Sequence, residues 1–145
     1  MTDMTDLERE GGCFCGAVRY VTAGEPLSQC ICHCESCRWA AGAPMVAWGT
    51  FATSQFRVTR GEVTEYASSP GVLRGHCADC GTSLTYSHET SGGEIDVTLA
   101  SFDDSATLAP TAHIWVQDKL PWVKLGDGLP QHETTLDDSH RARPG

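Results

Sequence analysis

The sequence predicts a mainly β domain, antiparallel in its pairing, with one or two short helices. Three observations predict it. Short runs rich in β-branched and aromatic residues recur along the chain, with Gly- and Pro-containing turn signals between them. Only one stretch has clear helical character. Two cysteine pairs far apart in sequence have the spacing of two halves of one metal clip, which would tie the first part of the chain to its middle.

In chain order, the expected strands are 17–22, 45–51, 56–59, 64–67, 72–76, 83–87, 95–99, 113–116 and 122–124. Gly24-Glu25-Pro26, Arg60-Gly61, Ser69-Pro70-Gly71, Ser91-Gly92-Gly93 and Gly126-Asp127-Gly128 punctuate them. Glu35 to Ala41 reads as a helix, with Gly42 placed to end it. Asp103 to Leu108 could add one more helical turn. Residues 1–10 and 134–145 are polar and charged, bury little apolar surface and read as tails around a single domain over 11–133. His132 and His140 fall in or beside the second tail and are given no function.

A chain of 145 residues is long enough to bury one core without staples. Its net charge is −9, or about −12 once seven thiolate ligands and two Zn²⁺ ions are counted. Such a surface repels nucleic-acid backbones and anionic membranes, so no nucleic acid and no membrane is expected as a partner. The start Met1-Thr2-Asp3-Met4-Thr5-Asp6 lacks the basic and apolar regions of a secretory signal, and no apolar run of about 18 residues is present. The expected compartment is the cytoplasm, where clustered cysteines are metal ligands or redox groups more often than disulfides.

Seven of the eight cysteines fall into two sets. Cys13 and Cys15 are two apart, a spacing that puts both sulfurs on one face of an extended strand. Cys77 and Cys80, followed by Gly81, read as a tight turn presenting two more. Together these four thiolates would close a tetrahedral zinc, a structural site. Cys32 and Cys34, sharing a strand face, and Cys37, a CxxC partner of Cys34, supply three thiolates. A zinc held by three protein ligands keeps an open position for chemistry. Cys30 is two residues before Cys32 and could offer a fourth thiolate. The span from Cys30 to Cys34 is about 13 Å on a straight strand, however, so a small buried side chain is the preferred reading.

Other residues are weighed in the same way. Arg38 follows Cys37 and could anchor an anionic substrate; a solvated helix residue or ion pair is the alternative. His33 alternates with Cys32 and Cys34 and should face away from the metal, in a supporting role. His76 stands likewise beside Cys77. His113 sits beside Ile114 and Trp115, which suggests core packing. Trp39, Trp48, Phe51 and Trp115 could line an apolar pocket, with core packing expected for at least half of them.

These motifs resemble the glutathione-dependent formaldehyde-activating family, also called the Gfa/CENP-V domain. The resemblance rests on the opening Gly11-Gly12-Cys13-Phe14-Cys15-Gly16-Ala17-Val18-Arg19-Tyr20 and on Cys32-His33-Cys34-Glu35-Ser36-Cys37-Arg38 with Gly42-Ala43-Pro44. It continues in His76-Cys77-Ala78-Asp79-Cys80-Gly81-Thr82-Ser83-Leu84, in Pro110-Thr111-Ala112-His113-Ile114-Trp115 and at Trp122. It implies an Mss4-like β fold, a structural zinc on Cys13, Cys15, Cys77 and Cys80, and a second zinc on Cys32, Cys34 and Cys37. It also implies a carbon–sulfur lyase activity that joins glutathione and formaldehyde into S-hydroxymethylglutathione. Cys30 is a departure that could perturb the second site.

The expected function is therefore addition of a thiol, glutathione-like, to formaldehyde or another small aldehyde. Cys32, Cys34 and Cys37 would be catalytic through the open zinc, which would take the substrate thiol as a thiolate. Two readings compete: a non-catalytic zinc module that binds a protein partner, and a thiol redox or metal-buffer protein using Cys34 and Cys37. Spare edge strands would allow a homo-oligomer.

Overall fold

The computed structural model describes residues 7–136. Its ten strands are β1 (Glu8–Gly12), β2 (Arg19–Ala23), β3 (Ser28–Cys32), β4 (Val46–Ala52), β5 (Phe56–Arg60), β6 (Thr64–Ser69), β7 (Val72–His76), β8 (Ser83–His88), β9 (Glu94–Thr98) and β10 (Ala112–Ile114). One α-helix, α1 (Glu35–Ala41), lies between β3 and β4. Short 3-10 turns fill several connections, among them Ser105–Thr107. The mainly β fold expected from the sequence is the fold observed.

The strands form two sheets. β1, β2 and β5 make a small antiparallel sheet in the order β1-β2-β5. The larger sheet runs β10-β3-β4-β9-β8-β7-β6, antiparallel except where β10 pairs parallel with β3. Between the sheets lies the main core, in which Tyr20 and Val18 meet Phe51, Val97, Leu99 and Phe102. Tyr20 and Phe102 pack edge to face at 5.2 Å, and the Tyr20 hydroxyl lies 2.6 Å from Ser101 Oγ. Burying such aromatic side chains contributes on the order of 2–3 kcal/mol each.

Alternation gives the large sheet a second, different face. Ser28 pairs with Thr50, Thr50 with Asp96, Asp96 with Tyr86 and Tyr86 with Arg74. Residues directly opposite in adjacent strands share a face, so this row crosses five strands on one side of the sheet. Cys30, Cys32 and Trp48 lie an even number of residues along their strands from that row and stand on the same side. A second, smaller cluster of Cys32, Cys37, Val46 and Trp48 forms there.

Several boundaries depart from the sequence expectation. Glu8, Arg9 and Glu10 belong to β1 rather than to a tail, because Glu8 to Gly12 pair with Ala23 back to Arg19. At the other end, the Trp115 N–H donates to the Thr134 carbonyl at 2.8 Å, so Thr134 is tied to the domain. His140 lies outside the described residues. Residues 122–124 are not a strand. Val123 is buried, but its N–H donates to the Leu120 carbonyl and its own carbonyl accepts from the Lys119 ammonium at 2.8 Å. β10 stops at Ile114 because Trp115 adopts a left-handed backbone, φ 56°. No helix among the described residues is long and apolar enough to cross a membrane.

Candidate metal centres and the cavity beside one of them

Cys13 and Cys15 sit in the turn that joins β1 to β2, not on a strand as their spacing suggested. The Cys13 N–H donates to the Val18 carbonyl at 3.1 Å and Gly16 N–H to the Cys13 carbonyl at 3.2 Å, which folds the turn. Cys77 and Cys80 sit in the turn between β7 and β8. The Asp79 and Cys80 N–H groups point at Cys77 Sγ, 3.3 and 3.4 Å away. Gly81 closes this turn at φ 81°, a conformation that glycine adopts without steric cost. The two turns meet through the Phe14 N–H, which donates to Thr82 Oγ1 at 3.0 Å.

All four sulfurs lie within 4.8 Å of one another. A tetrahedral ion with bonds of about 2.3 Å, the zinc–thiolate length, sets sulfur–sulfur separations of roughly 3.8 Å. Cys13 to Cys15 is 3.6 Å and Cys15 to Cys77 is 3.8 Å. The set fits a closed, four-coordinate metal. Hydrogen bonding from Thr82 pulls the Cys80 thiol down to about 5, so one ligand of the set favours its thiolate form before any ion arrives.

Cys32, Cys34 and Cys37 form the other group, with their sulfurs also within 4.8 Å of one another. Cys32 ends β3, but Cys34 is not on a strand. It is the N-cap of α1, with φ −62° and ψ 150°, and its sulfur accepts from the Cys37 N–H at 3.3 Å. Strand end, N-cap and first helical turn thus bring the three thiols together. Gly42 ends the helix in the left-handed conformation, its N–H on the Arg38 carbonyl. Hydrogen bonds from the Cys32 and Cys37 thiols, helped by the Arg74 charge, hold the Cys34 thiol far below its ordinary range. Cys30 is buried on β3 and lines the adjoining cavity, but it stands outside this group of three. None of the eight cysteines is in a disulfide.

The three-thiol group forms part of the wall of a cavity of about 670 Å³, a size suited to a small-molecule site. The polar row of the large sheet makes its floor. Trp48, Tyr86 and Trp115 supply aromatic surface. Trp39, by contrast, is 74% exposed, and Phe51 is in the main core. Arg38 is not among the lining residues. The guanidinium of this site is Arg74, which sequence reasoning missed. Arg74 is 6% exposed; its Nη1 and Nη2 lie 3.9 and 3.8 Å from Cys37 Sγ, and its Nε donates to Ser68 Oγ at 3.2 Å. Its other neighbour is the Tyr86 ring, 5.0 Å away. A single Arg in the run Val72-Leu73-Arg74, close before Cys77, was the available signal.

Behind the three thiols a polar chain runs from two buried imidazoles to an exposed carboxylate. His33 Nε2 lies 2.9 Å from His113 Nδ1, and His113 Nε2 lies 2.8 Å from Asp127 Oδ2. Asp127 Oδ1 in turn accepts from the Leu129 N–H at 3.0 Å. Both imidazoles are buried, and burial lowers the His33 pKa, keeping that ring neutral. His33 also donates its backbone N–H to the Ile114 carbonyl at 3.0 Å. The chain fastens the loop bearing Cys32 and Cys34 to β10 and to the segment beyond it. It gives His113 a polar partner on each ring nitrogen, where core packing alone was expected.

A solved Rhodobacter sphaeroides protein, a structural-genomics target, superposes with a TM-score of 0.55 over 85% of this chain and 98% of its own, at 23% identity. That likeness is one of fold. An uncharacterized lyase of Schizosaccharomyces pombe is 29% identical over 113 residues, 77% of this chain and 81% of the yeast protein. The model of the glutathione-dependent formaldehyde-activating enzyme matches residues 8–118, a span that holds both cysteine groups, Arg74 and the His33–His113 pair; the chain belongs to that family.

Proposed function

We propose that the protein is a zinc-dependent, lyase-type enzyme that adds a small thiol to formaldehyde or a similar small aldehyde, and reverses that addition, in the cavity beside Cys32, Cys34 and Cys37. The observation that carries this reading is the contrast in ligand number and setting. Four thiols close on one another between two turns, whereas three line an open cavity. The family match and the lyase name of the yeast relative support a carbon–sulfur lyase role.

The reaction is redox-neutral. The thiol S–H bond breaks, a sulfur–carbon bond forms, the carbonyl π bond opens, and the proton ends on the former carbonyl oxygen to give a hydroxymethyl thioether. A zinc ion on the three thiolates would supply an open coordination position that favours the thiolate form of a substrate thiol. The chain's own residues do the rest. Arg74 faces Cys37 and offsets part of the negative charge of three thiolates. Trp48, Tyr86 and Trp115 exclude water and narrow the space in which two small reactants can meet, which converts a bimolecular step into a positioned one. The His33–His113–Asp127 chain fixes the loop that carries two of the three thiols. Thiols in this number stay reduced in a compartment such as the cytoplasm.

Exchange NMR tests the reading. Free formaldehyde, free thiol and their adduct are observed together, and the uncatalysed exchange rate is subtracted. The rate should rise in proportion to zinc-loaded protein. A rate equal to background with metal in both groups would contradict the proposal.

A further inference from the structure

Trp115 is the one non-glycine residue among the described residues with a positive φ, 56°, combined with ψ 37°. A bulky side chain disfavours that left-handed conformation, which persists where the surroundings hold it and is found most often at functional sites. Main-chain bonds hold Trp115 on both sides. Its N–H donates to the Thr134 carbonyl at 2.8 Å, and its carbonyl accepts from the Asp118 N–H at 3.0 Å. The next residue, Val116, donates its N–H to the His132 carbonyl at 3.1 Å.

What the strained backbone achieves is visible in the packing. Ile114, the last residue of β10, pairs with Cys32 of β3. Ile114 and Trp115 are consecutive, yet both pack against the cluster of Cys32, Cys37, Val46 and Trp48. On a continuing strand, successive side chains face opposite sides of the sheet. The left-handed turn at Trp115 instead brings the indole to the side on which Ile114 already stands. The 3-10 turn that follows, Val116–Asp118, is fastened to the start of α1: Asp118 Oδ2 accepts from the Glu35 N–H at 3.4 Å, one residue beyond Cys34. Trp115 is thus fixed against the elements that carry the three thiols, and it lines the cavity beside them.

Resting on the thiol-addition reading above, we propose that Trp115 is a specificity-determining residue: its indole takes up the room next to the three thiols in which a substituent on the aldehyde carbon would stand, and so restricts the site to formaldehyde and aldehydes scarcely larger. A formaldehyde carbon carries only hydrogens and fits beside the ring. A branched aldehyde must place its alkyl group where the indole already is, and a close-packed wall yields little to such overpacking.

Exchange NMR on the zinc-loaded protein tests this with formaldehyde and isobutyraldehyde, each with glutathione and, in parallel, with 2-mercaptoethanol; uncatalysed rates are subtracted. The parent chain should favour formaldehyde by at least about tenfold, the discrimination that apolar contacts supply. Trp115→Gly opens space on the scale of the roughly 150 Å³ hole that accepts benzene, and glycine adopts this backbone without cost. It should narrow the preference at least about fivefold, chiefly through a lower KM for isobutyraldehyde. Trp115→Asn, whose side chain is smaller and tolerates the left-handed region, should shift the preference the same way and guards against a fold defect in the glycine variant. Thermal unfolding reads the backbone without turnover: Trp115→Gly should melt a few degrees above Trp115→Ala, since both lack the indole and only glycine is at ease at this φ. An alanine variant that melts as high would overturn the claim that a strained backbone places the ring. A preference unchanged in both smaller variants, with the two rates falling together, would overturn the size inference and leave the thiol-addition reading standing; so would a parent chain that takes both aldehydes equally. No acceleration with either aldehyde, with metal in both cysteine groups, would sink both.

Discussion

The two cysteine groups put the same side chain in opposite settings. The four-thiol group lies where two hairpin turns from different sheets meet, 62 residues apart between Cys15 and Cys77. Its surroundings include main-chain N–H groups and the Thr82 hydroxyl, which stabilise thiolates. The three-thiol group lies where a strand ends and a helix begins, beside a cavity lined by aromatic and charged side chains. A closed site returns its binding free energy to folding; an open one keeps part of it for a substrate. Ligand count alone is therefore incomplete evidence. The proposed roles rest also on what surrounds the sulfurs, N–H groups in one case and a cavity in the other.

The largest predicted effect tests that assignment directly. Cys77→Ser should remove the clip between the sheets and cost several kcal/mol, since structural zinc contributes on the order of 10 kcal/mol in small domains. Thermal unfolding should show a collapse of the cooperative transition or a midpoint lowered by more than about 10 °C. A native-like midpoint would remove the distinction between the groups.

Arg74→Met comes next. It leaves the four-thiol group untouched but withdraws the cation facing Cys37. Metal held by the three-thiol group should be lost about 10–100 times more readily in a chelator competition, the range seen when a ligand's supporting partner is removed. Metal in the other group should be retained as in the parent chain. Equal loss from both groups would mean that Arg74 acts on the fold at large.

A smaller effect is expected at the buried imidazole chain. His113→Ala removes the partner of both His33 and Asp127 and opens a cavity, for about 2–4 kcal/mol of destabilisation in denaturant unfolding. Asp127→Asn, which keeps an oxygen near His113, should cost less. If the two variants cost the same, the chain works through packing and not through its hydrogen bonds.

The smallest is expected at an ion pair made by Arg19 of β2. Asp103 makes a bidentate pair with Arg19, and the guanidinium holds its carboxyl below the usual range. Because the folded-state pKa is depressed, the contribution is present above the ordinary carboxylate range and fades as pH falls through the folded value. The pair is half exposed, so Asp103→Asn should change stability by no more than about a few tenths of a kcal/mol at neutral pH. That difference from the parent should vanish in acid unfolding experiments.

What is legible in the sequence is local. The two cysteine groups, seven residues in all, the helix from Glu35 to Ala41 and its Gly42 cap follow from short spacings along the chain. Arg74 is not legible in this way, because its role is made by register: β7, β8, β9 and β4 place Arg74, Tyr86, Asp96 and Thr50 in one row. The His33–His113 contact joins residues 80 apart, and no periodicity signals it. Glu8–Gly12 and Ser28–Cys32 carry weak strand signals because their side chains are charged, small or thiol-bearing. Their strand character comes from the backbone partners offered by β2, β4 and β10. Arg38 adjoins Cys37 in sequence and so stands out over Arg74 as a cation for the cavity, yet the helix turns it away from the lining.

The division of labour is tested most directly by one sample, Cys34→Ser, on which bound metal per chain, unfolding midpoint and catalysed thiol–formaldehyde exchange are all measured. The expected result is one metal per chain, a midpoint within a few degrees of the parent, and exchange reduced to the uncatalysed rate. Two tightly held metals with undiminished exchange would contradict it.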